Sequence, residues 1–343
     1  EAKEVKHGIW GPIAKFVVNK PYLSGGLVLI FMLITSFNVL NLEYEYDTVK
    51  SFPEELPSRV GYEIVESRFD KGELAPTSLL VESEQALTEE QKQALADALM
   101  SDEAIASVRT SAVSEDDTKL KLSMAFDISP YSPEAIDRLE EMREKSADYL
   151  AEAGIDGELY FAGTTAKLVD ERNVNNSDII KIVILETILI LVLLFVLTKS
   201  WKMPIYMMAT ILVSYLSALG LGIFLVDVLF GYDAISTRVP IYAFIFLVAL
   251  GIDYNIILVS RFIEERKRMN VKEALEIAIR NTGGVISSAG IILAATFAAL
   301  MTMPIADLFV FGFIVSVGII IDTFLVRGML LPMLILTFEK DKK

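Results

Sequence analysis

Two aspartates inside apolar segments are the residues of this sequence most able to do chemistry. Asp253 is followed directly by Tyr254, and Asp322 ends an apolar run that begins at Gly318. A carboxylate at mid-bilayer costs about 2.5–3.5 kcal/mol even on forgiving insertion scales, so such residues usually face a bundle interior or water. A partly desolvated carboxyl group can bind and release protons near neutral pH. The pattern predicts a proton relay at both aspartates, and a hydrogen-bonded network that only fixes helix packing is the alternative.

The depths of these groups in the bilayer are similar. Each aspartate lies about 14 residues from the outer end of its segment, which is roughly 21 Å at about 1.5 Å per residue. Ser287 and Ser288 lie about four or five residues from the inner end of the fifth segment, roughly 7 Å deep. Since the hydrocarbon core is about 30 Å thick, one polar layer can contain both acids, the Tyr254 phenol and both hydroxyl groups.

Two further charged residues lie in apolar segments. Arg327 follows Asp322 by five positions, which is about 140° around an α-helix, so an ion pair within the helix is disfavoured. Arg327 is expected instead to extend towards the cytoplasm or to pair with another helix. Glu186 lies less deeply in the second segment, and it lines a path for substrate or water or else takes a simple interface position.

Six segments are long and apolar enough to cross a bilayer, which needs about 20 residues each. We predict them at residues 21–40, 179–198, 203–230, 239–260, 283–303 and 308–337. Lys and Arg cluster before the first segment, between the second and third, between the fourth and fifth, and after the sixth. With six crossings these four positions share one side, which the positive-inside rule makes the cytoplasm.

The long insert between the first two segments, residues 41–178, is predicted to be a small extracytoplasmic domain. Acids outnumber Lys and Arg there by more than two to one. We predict a βαββαβ order, the split βαβ of ferredoxin-like α+β domains, preceded by an extra helix over 58–69. The predicted strands lie at 77–81, 105–113, 119–128 and 157–161, and the helices at 88–100, with Thr88 as its cap, and 132–153, with Gly154 as its stop.

Two cytoplasmic stretches are amphipathic. In residues 1–20, Ile9, Ile13, Phe16 and Val17 share a helical side, with Trp10 at a depth typical of the membrane interface. Residues 262–281 combine charges with apolar positions in a second amphipathic helix. Both are predicted to lie on the membrane surface, with partner binding as the alternative. Residues 338–343 form a cytoplasmic tail, and five helices between 179 and 337 complete the bundle.

Composition excludes several classes of function. The 343 residues carry a net charge of −15, so nucleic acid is not an expected partner. The absence of cysteine and the single histidine, His7, exclude thiol catalysis and a His-based metal site. The sequence contains no Walker loop, which favours an ion gradient over a nucleotide as the energy source. We therefore expect neither an enzyme nor a cofactor.

Several motifs resemble one known family. The run 251–254 with Ser260-Arg261-Phe262, the continuation around Ser287-Ser288, and Asp322 with Arg327 resemble helices of the MmpL family of the resistance–nodulation–division superfamily. In the insert, Leu56-Pro57 and residues 163–166 resemble the start and exit of the family's porter domain. The likeness covers nearly the whole chain.

The resemblance implies a proton-driven exporter of lipids or other hydrophobic molecules in the bacterial cytoplasmic membrane. Family members have twelve helices in two repeats, and this chain has one, with an opening like that of the second repeat. Because it begins with Glu rather than Met, we expect a fragment or processed product, with the N-terminal repeat or a second copy as partner. Asp253 and Tyr254 carry over to the family's relay, with Ser288 beside them. A motor of the SecD/SecF kind and a sterol-sensing lipid-binding module without transport are the alternatives.

Overall fold

The computed structural model describes residues 9–341, so predictions about Lys3, Lys6, His7, Lys342 and Lys343 lie outside the described residues. The chain divides into two compact units. One combines the residues up to Glu43 with those from Ile180 onwards, and the other is Tyr44–Ile179.

Helices dominate the described part of the chain. The helices are α1 (Trp10–Asn19), α2 (Pro21–Phe37), α3 (Pro57–Arg68), α4 (Glu89–Met100), α5 (Pro133–Glu144), α6 (Ser146–Glu152), α7 (Thr164–Thr198), α8 (Lys202–Phe230), α9 (Arg238–Glu265), α10 (Val271–Ala298), α11 (Ala306–Ile320) and α12 (Leu331–Phe338). The strands are β1 (Tyr44–Glu45), β2 (Thr77–Ser83), β3 (Ile105–Val113), β4 (Lys119–Phe126), β5 (Gly157–Ala162) and β6 (Ile235–Ser236).

The six predicted membrane-crossing segments are confirmed as helices by length and composition. Among the described residues they are Pro21–Asn41, Thr164–Thr198, Lys202–Phe230, Arg238–Glu265, Val271–Thr302 and Ala306–Phe338. Each is longer than predicted, and the largest extensions, at the starts of Thr164–Thr198 and Val271–Thr302, continue the helices into polar sequence. Large apolar side chains such as Leu185 and Leu189 of α7 are exposed on the chain by itself, as expected for surfaces that lipid covers.

The last membrane-crossing helix is interrupted. Between α11 and α12, Ile321–Leu330 is π-helical, and we call it the π segment. Pro332 follows just inside α12. Proline lacks an N–H and its ring crowds the carbonyl group four residues earlier, so a wider turn before it relieves the clash. The distortion therefore has a local cause in the sequence.

Small residues bring the membrane helices close together. A Cβ atom added at Gly220 of α8 would lie 2.1 Å from the carbonyl oxygen of Thr35. The same helices share a 2.7 Å hydrogen bond between the hydroxyl groups of Thr35 and Ser217, and Asn38 donates to the Gly220 carbonyl oxygen at 2.9 Å. Close packing and interhelical hydrogen bonds are the expected source of helix association in lipid.

The prediction of a separate amphipathic helix over 262–281 was wrong. The helix α9 ends at Glu265 and α10 begins at Val271, because the side chain of Asn270 accepts a hydrogen bond from the N–H of Glu273 and caps α10. Phe262 and Leu275 from this stretch are buried. These apolar side chains belong to the bundle core rather than to a surface helix.

In the first stretch, α1 turns a different set of residues inwards from the one expected. Trp10, Ala14, Val17 and Val18 are buried, whereas Ile9 and Phe16 are exposed. Trp10 is therefore packed within the bundle, and its depth relative to the membrane interface stays a prediction.

The second unit contains a four-stranded antiparallel sheet in the order β3-β4-β2-β5. Leu79 and Val81 of β2 are fully buried while Leu80 between them is exposed, the alternation of a sheet with one covered face. The predicted cap Thr88 forms a capping box with Gln91. The single helix predicted over 132–153 is divided into α5 and α6 at Lys145.

We expect Gly25→Ala in α2 to lower stability by about 1–3 kcal/mol, because the new Cβ atom would lie 2.5 Å from the Cβ atom of Met333 and 3.0 Å from the carbonyl oxygen of Met329. Gly26→Ala is the matched control, since its Cβ atom would meet nothing within 4 Å. Thermal unfolding of the detergent-solubilised protein measures both. Equal midpoints for the two variants would contradict this account of the packing.

Candidate functional site

A buried ion pair lies in the π segment. Asp322 and Arg327 are only 6% and 3% exposed, and the Arg327 Nη2 atom contacts the Asp322 Oδ2 atom. The expectation that an ion pair within this helix is disfavoured was therefore wrong. That expectation assumed α-helical geometry, whereas π-helical hydrogen bonds join residues five apart and place residue i+5 above residue i.

Arg327 connects the π segment to α9. Its Nε atom donates to the Asn255 Oδ1 atom at 3.3 Å, and its guanidinium carbon lies 4.0 Å from the centre of the Tyr254 ring. The cation–π contact is with Tyr254 and the hydrogen bond is with Asn255, the two residues that follow Asp253. We call Asn255, Tyr254, Asp322 and Arg327 the polar centre.

Sequence reasoning missed Asn255. It is fully buried, and its amide stands two residues after Asp253 in an otherwise apolar stretch. A buried amide is costly in hydrocarbon unless it is hydrogen-bonded, so its presence there was the available signal.

Gly290 lets α10 approach this centre closely. A Cβ atom added there would lie 2.3 Å from the Thr323 Oγ1 atom, whereas one at Gly251 of α9 would make an ordinary contact, 3.8 Å from the Asp322 Oδ1 atom. Thr323 is fully buried. Three helical elements, α9, α10 and the π segment, thus meet around the ion pair, with a glycine at the tightest approach.

Several buried polar atoms of this region have no hydrogen-bond partner in the described protein. They are Asp322 Oδ1, Arg327 Nη1, Asn255 Nδ2 and Thr323 Oγ1. Buried polar groups in proteins are rarely left unpaired, and water inside a polar cavity commonly fills this role. The polar centre therefore has donor and acceptor atoms available to hydrogen-bond water.

Asp253 itself points away from the packed face of α9. It is exposed on this chain, whereas its neighbours Gly251, Ile252 and Asn255 are buried. Tyr254 is half-buried between the two environments. Asp253 acts electrostatically on both Arg327 and Tyr254, so it lies near the polar centre, and it makes no ion pair within residues 9–341.

The two serines of the predicted polar layer make other contacts. Ser287 accepts a 2.7 Å hydrogen bond from Trp10 Nε1 and donates to the Gly283 carbonyl oxygen at 2.6 Å. Ser288 is exposed and donates to the Gly284 carbonyl oxygen at 3.0 Å. Ser287 therefore anchors α1 to α10, and Ser288 lies on an exposed side of α10.

Trp10 is held between α10 and the π segment. Its ring stacks on Phe324 with centroids 6.4 Å apart and planes 12° from parallel. A Cβ atom added at Gly283 would lie 2.5 Å from the indole, and one at Gly328 would lie 3.5 Å from it. The indole thus lies against α10, which precedes the ion pair in the chain, and against Gly328, which follows it.

The remaining candidate, Glu186, lies on α7 and is half-buried. Its neighbours Leu185 and Ile188 are exposed. Within residues 9–341, Glu186 makes no ion pair, and no group of three or more His, Asp or Glu residues could hold a metal ion.

Six apolar helices around a buried charged centre define a multi-pass membrane protein. The chain matches the MMPL family over residues 51–341 and belongs to it.

Two curated relatives match nearly the whole of this chain, and a third matches about two thirds of it. A membrane protein of Streptomyces coelicolor is 36% identical over 330 residues, 96% of this chain and 39% of the relative. The apo-petrobactin exporter of Bacillus anthracis is 34% identical over 338 residues, 97% of this chain and 44% of the relative. The sulfolipid-1 exporter MmpL8 of Mycobacterium tuberculosis is 29% identical over 221 residues, 64% of this chain and 20% of the relative. The chain spans about two fifths of the length of the first two relatives.

We expect Asp322→Asn to destabilise the protein by about 3–5 kcal/mol, because it leaves the Arg327 guanidinium buried without a counter-charge. The double variant Asp322→Asn with Arg327→Met removes both charges and is expected to be more stable than the single variant. Thermal unfolding in detergent, with the yield of folded protein, measures the difference. A double variant no more stable than the single one would show that the ion pair does not determine local stability.

Proposed function

We propose that this chain forms half of a proton-driven exporter of lipids or other hydrophobic molecules. The observation that carries the proposal is Asp253 with Tyr254 beside a fully buried Asp322–Arg327 ion pair in an apolar bundle. Ionised groups at this depth are expensive, and those that occur mark ion pathways and proton relays. The chain would act as a transporter rather than an enzyme.

The relay comprises Asp253, Tyr254 and Asp322, with Ser288 on the exposed side of α10 and Ser287 in support. Protonation of Asp253 removes its charge and lowers the cost of surrounding it with another helix. Ionisation favours a wetter arrangement instead. The proton gradient would supply the energy, and no cofactor is required by this scheme.

The cargo class follows from the relatives. Two of them are named as exporters, one of apo-petrobactin and one of sulfolipid-1. We extend export to this chain, with a lipid or other hydrophobic molecule as the substrate. Glu186 on α7 would line the path of substrate or water, because it is a half-buried acid within the apolar part of that helix.

A second half would complete the transporter. Asp253 is exposed here, as are Tyr242, Phe246 and Ile257 on the same helix. An exposed carboxylate among apolar side chains calls for a covering partner in a membrane. Because the chain spans about two fifths of its relatives, the partner would be an N-terminal repeat or a second copy.

We assign unit Tyr44–Ile179 the role of the porter domain. The strand order β3-β4-β2-β5 supports the ferredoxin-like topology, since the first and third strands of the βαββαβ order lie at the centre. We propose that this unit is extracytoplasmic, because the Lys and Arg residues cluster in the segments predicted to lie on the cytoplasmic side of the membrane.

We expect Asp253→Asn to reduce proton-coupled export to the background of protein-free vesicles while expression stays normal, because an amide cannot exchange the proton. The measurement is efflux of a hydrophobic fluorescent dye, with interior pH followed by pyranine, in liposomes that contain the complete transporter.

Asp227→Asn is the matched control, since Asp227 is exposed near the end of α8 and outside the relay. It is expected to export normally. Normal export by Asp253→Asn would refute the relay.

A further inference from the structure

Arg327 is the residue through which the π segment contacts the Asp253-bearing helix by polar interactions. It pairs with Asp322 on its own segment, donates to Asn255 and stacks on the ring of Tyr254. All three contacts come from one planar guanidinium group that is 3% exposed. A guanidinium is suited to this arrangement because its planar fork can pair with a carboxylate while its face lies on an aromatic ring.

The three contacts differ in how they depend on charge. The Asp322 contact draws its strength from an ionised carboxylate, whereas the Asn255 and Tyr254 contacts need no charge on Asp322 but depend on where that contact holds the guanidinium group. Loss of charge at Asp322 would therefore leave Arg327 bound to α9 alone, with Asp253 as the other carboxylate acting on it. A ligand or proton shifts an equilibrium only through such differential contacts.

The π-helical geometry links the charge of Asp322 to the position of Arg327. Residues 322 and 327 meet only because the segment has i→i+5 hydrogen bonds, and an α-helix would place them about 140° apart. The ion pair thus stabilises the π form. Without the ion pair, the equilibrium between π-helical and α-helical geometry shifts, and Arg327 changes its position relative to the Tyr254 ring.

We propose, on the basis of the function proposed above, that Arg327 is the positioning residue of the relay: held by Asp322 and Asn255, it holds the Tyr254 ring and transmits the charge state of Asp322 to Asp253 and Tyr254. The charged or titratable groups that face it are Asp322, Asp253 and Tyr254. Within residues 9–341, the elements α1, α2, α8, α10, α11 and α12 add no charged side chain in contact with the pair.

The fluorescence of Trp10 can report on the π segment. It has two tryptophans, and Trp201→Phe leaves only Trp10, which stacks on Phe324 and hydrogen-bonds Ser287. Trp201 is 75% exposed, so its replacement disturbs little. We expect Trp10 emission in the full chain, reconstituted in liposomes, to change in one step as pH is varied.

The step is expected to disappear in Asp322→Asn and in Arg327→Met. The double variant Asp322→Asn with Arg327→Met must also lack the step; it keeps the test valid if either single variant misfolds. Asp253→Asn is expected to retain the step while losing export, which separates this inference from the relay itself. A step that persists in the double variant, or no step in the Trp201→Phe protein, would overturn the proposal.

The Tyr254 contact needs its own comparison. Tyr254→Phe keeps the ring beneath Arg327 and is expected to keep the pH midpoint of Trp10 emission. Tyr254→Leu removes the ring and is expected to shift the midpoint by about half a pH unit or more, the size expected from a desolvated cation–π contact. A midpoint unchanged in Tyr254→Leu would overturn the coupling.

Arg327→Lys supplies the conservative rescue. Lysine keeps a cation near Asp322, so the pH step in Trp10 emission should return. Lysine lacks the planar group that stacks on the Tyr254 ring. In the Arg327→Lys background, Tyr254→Leu should not shift the pH midpoint of Trp10 emission any further, because coupled residues give non-additive effects. Additive shifts from the two substitutions would show that Arg327 and Tyr254 act separately and would refute the proposal.

Discussion

The buried Asp322–Arg327 ion pair is the constraint on which the organisation of the membrane unit depends. Two charges in an apolar bundle are tolerated only if each neutralises the other and most of their polar atoms find partners. The bundle meets this requirement with a π-helical turn that brings the charges together and with Asn255 and Tyr254, which contact the guanidinium group from α9. Gly290 provides space for the close approach of α10.

The same arrangement separates two carboxylates by environment. Asp322 is buried and paired, whereas Asp253 is exposed on this chain and has no ion pair in the part of the chain that the structure describes. Tyr254 and Arg327 lie between them. The direct contacts of Arg327 with Asp322, Asn255 and Tyr254 are the basis on which we propose that a change of charge passes from one helix to the other. Trp10, which joins α1, α10 and the π segment, adds a second set of contacts to that segment.

The order of the apolar segments, the helices and strands of the insert, and most helix ends could be predicted from the sequence. These features depend on local patterns: runs of apolar residues, caps such as Thr88, and breaks such as Gly154. The break at Asn270 was also encoded locally, as a capping residue, but the apolar residues on both sides suggested one continuous amphipathic helix. Their burial against other helices decided between the two interpretations.

The sequence by itself therefore determined that residues 9–341 contain six helices long and apolar enough to cross a membrane, two of them with an aspartate inside the apolar run, since hydrophobicity and segment length are properties of neighbouring residues. Only the tertiary structure decided which acid is paired. The Asp322–Arg327 contact depends on the π geometry, and the Asn255 and Trp10 contacts join residues 72 and 277 positions apart from their partners. Such contacts arise from helix packing, in which the space left by a glycine on one helix determines which side chain of another helix can approach.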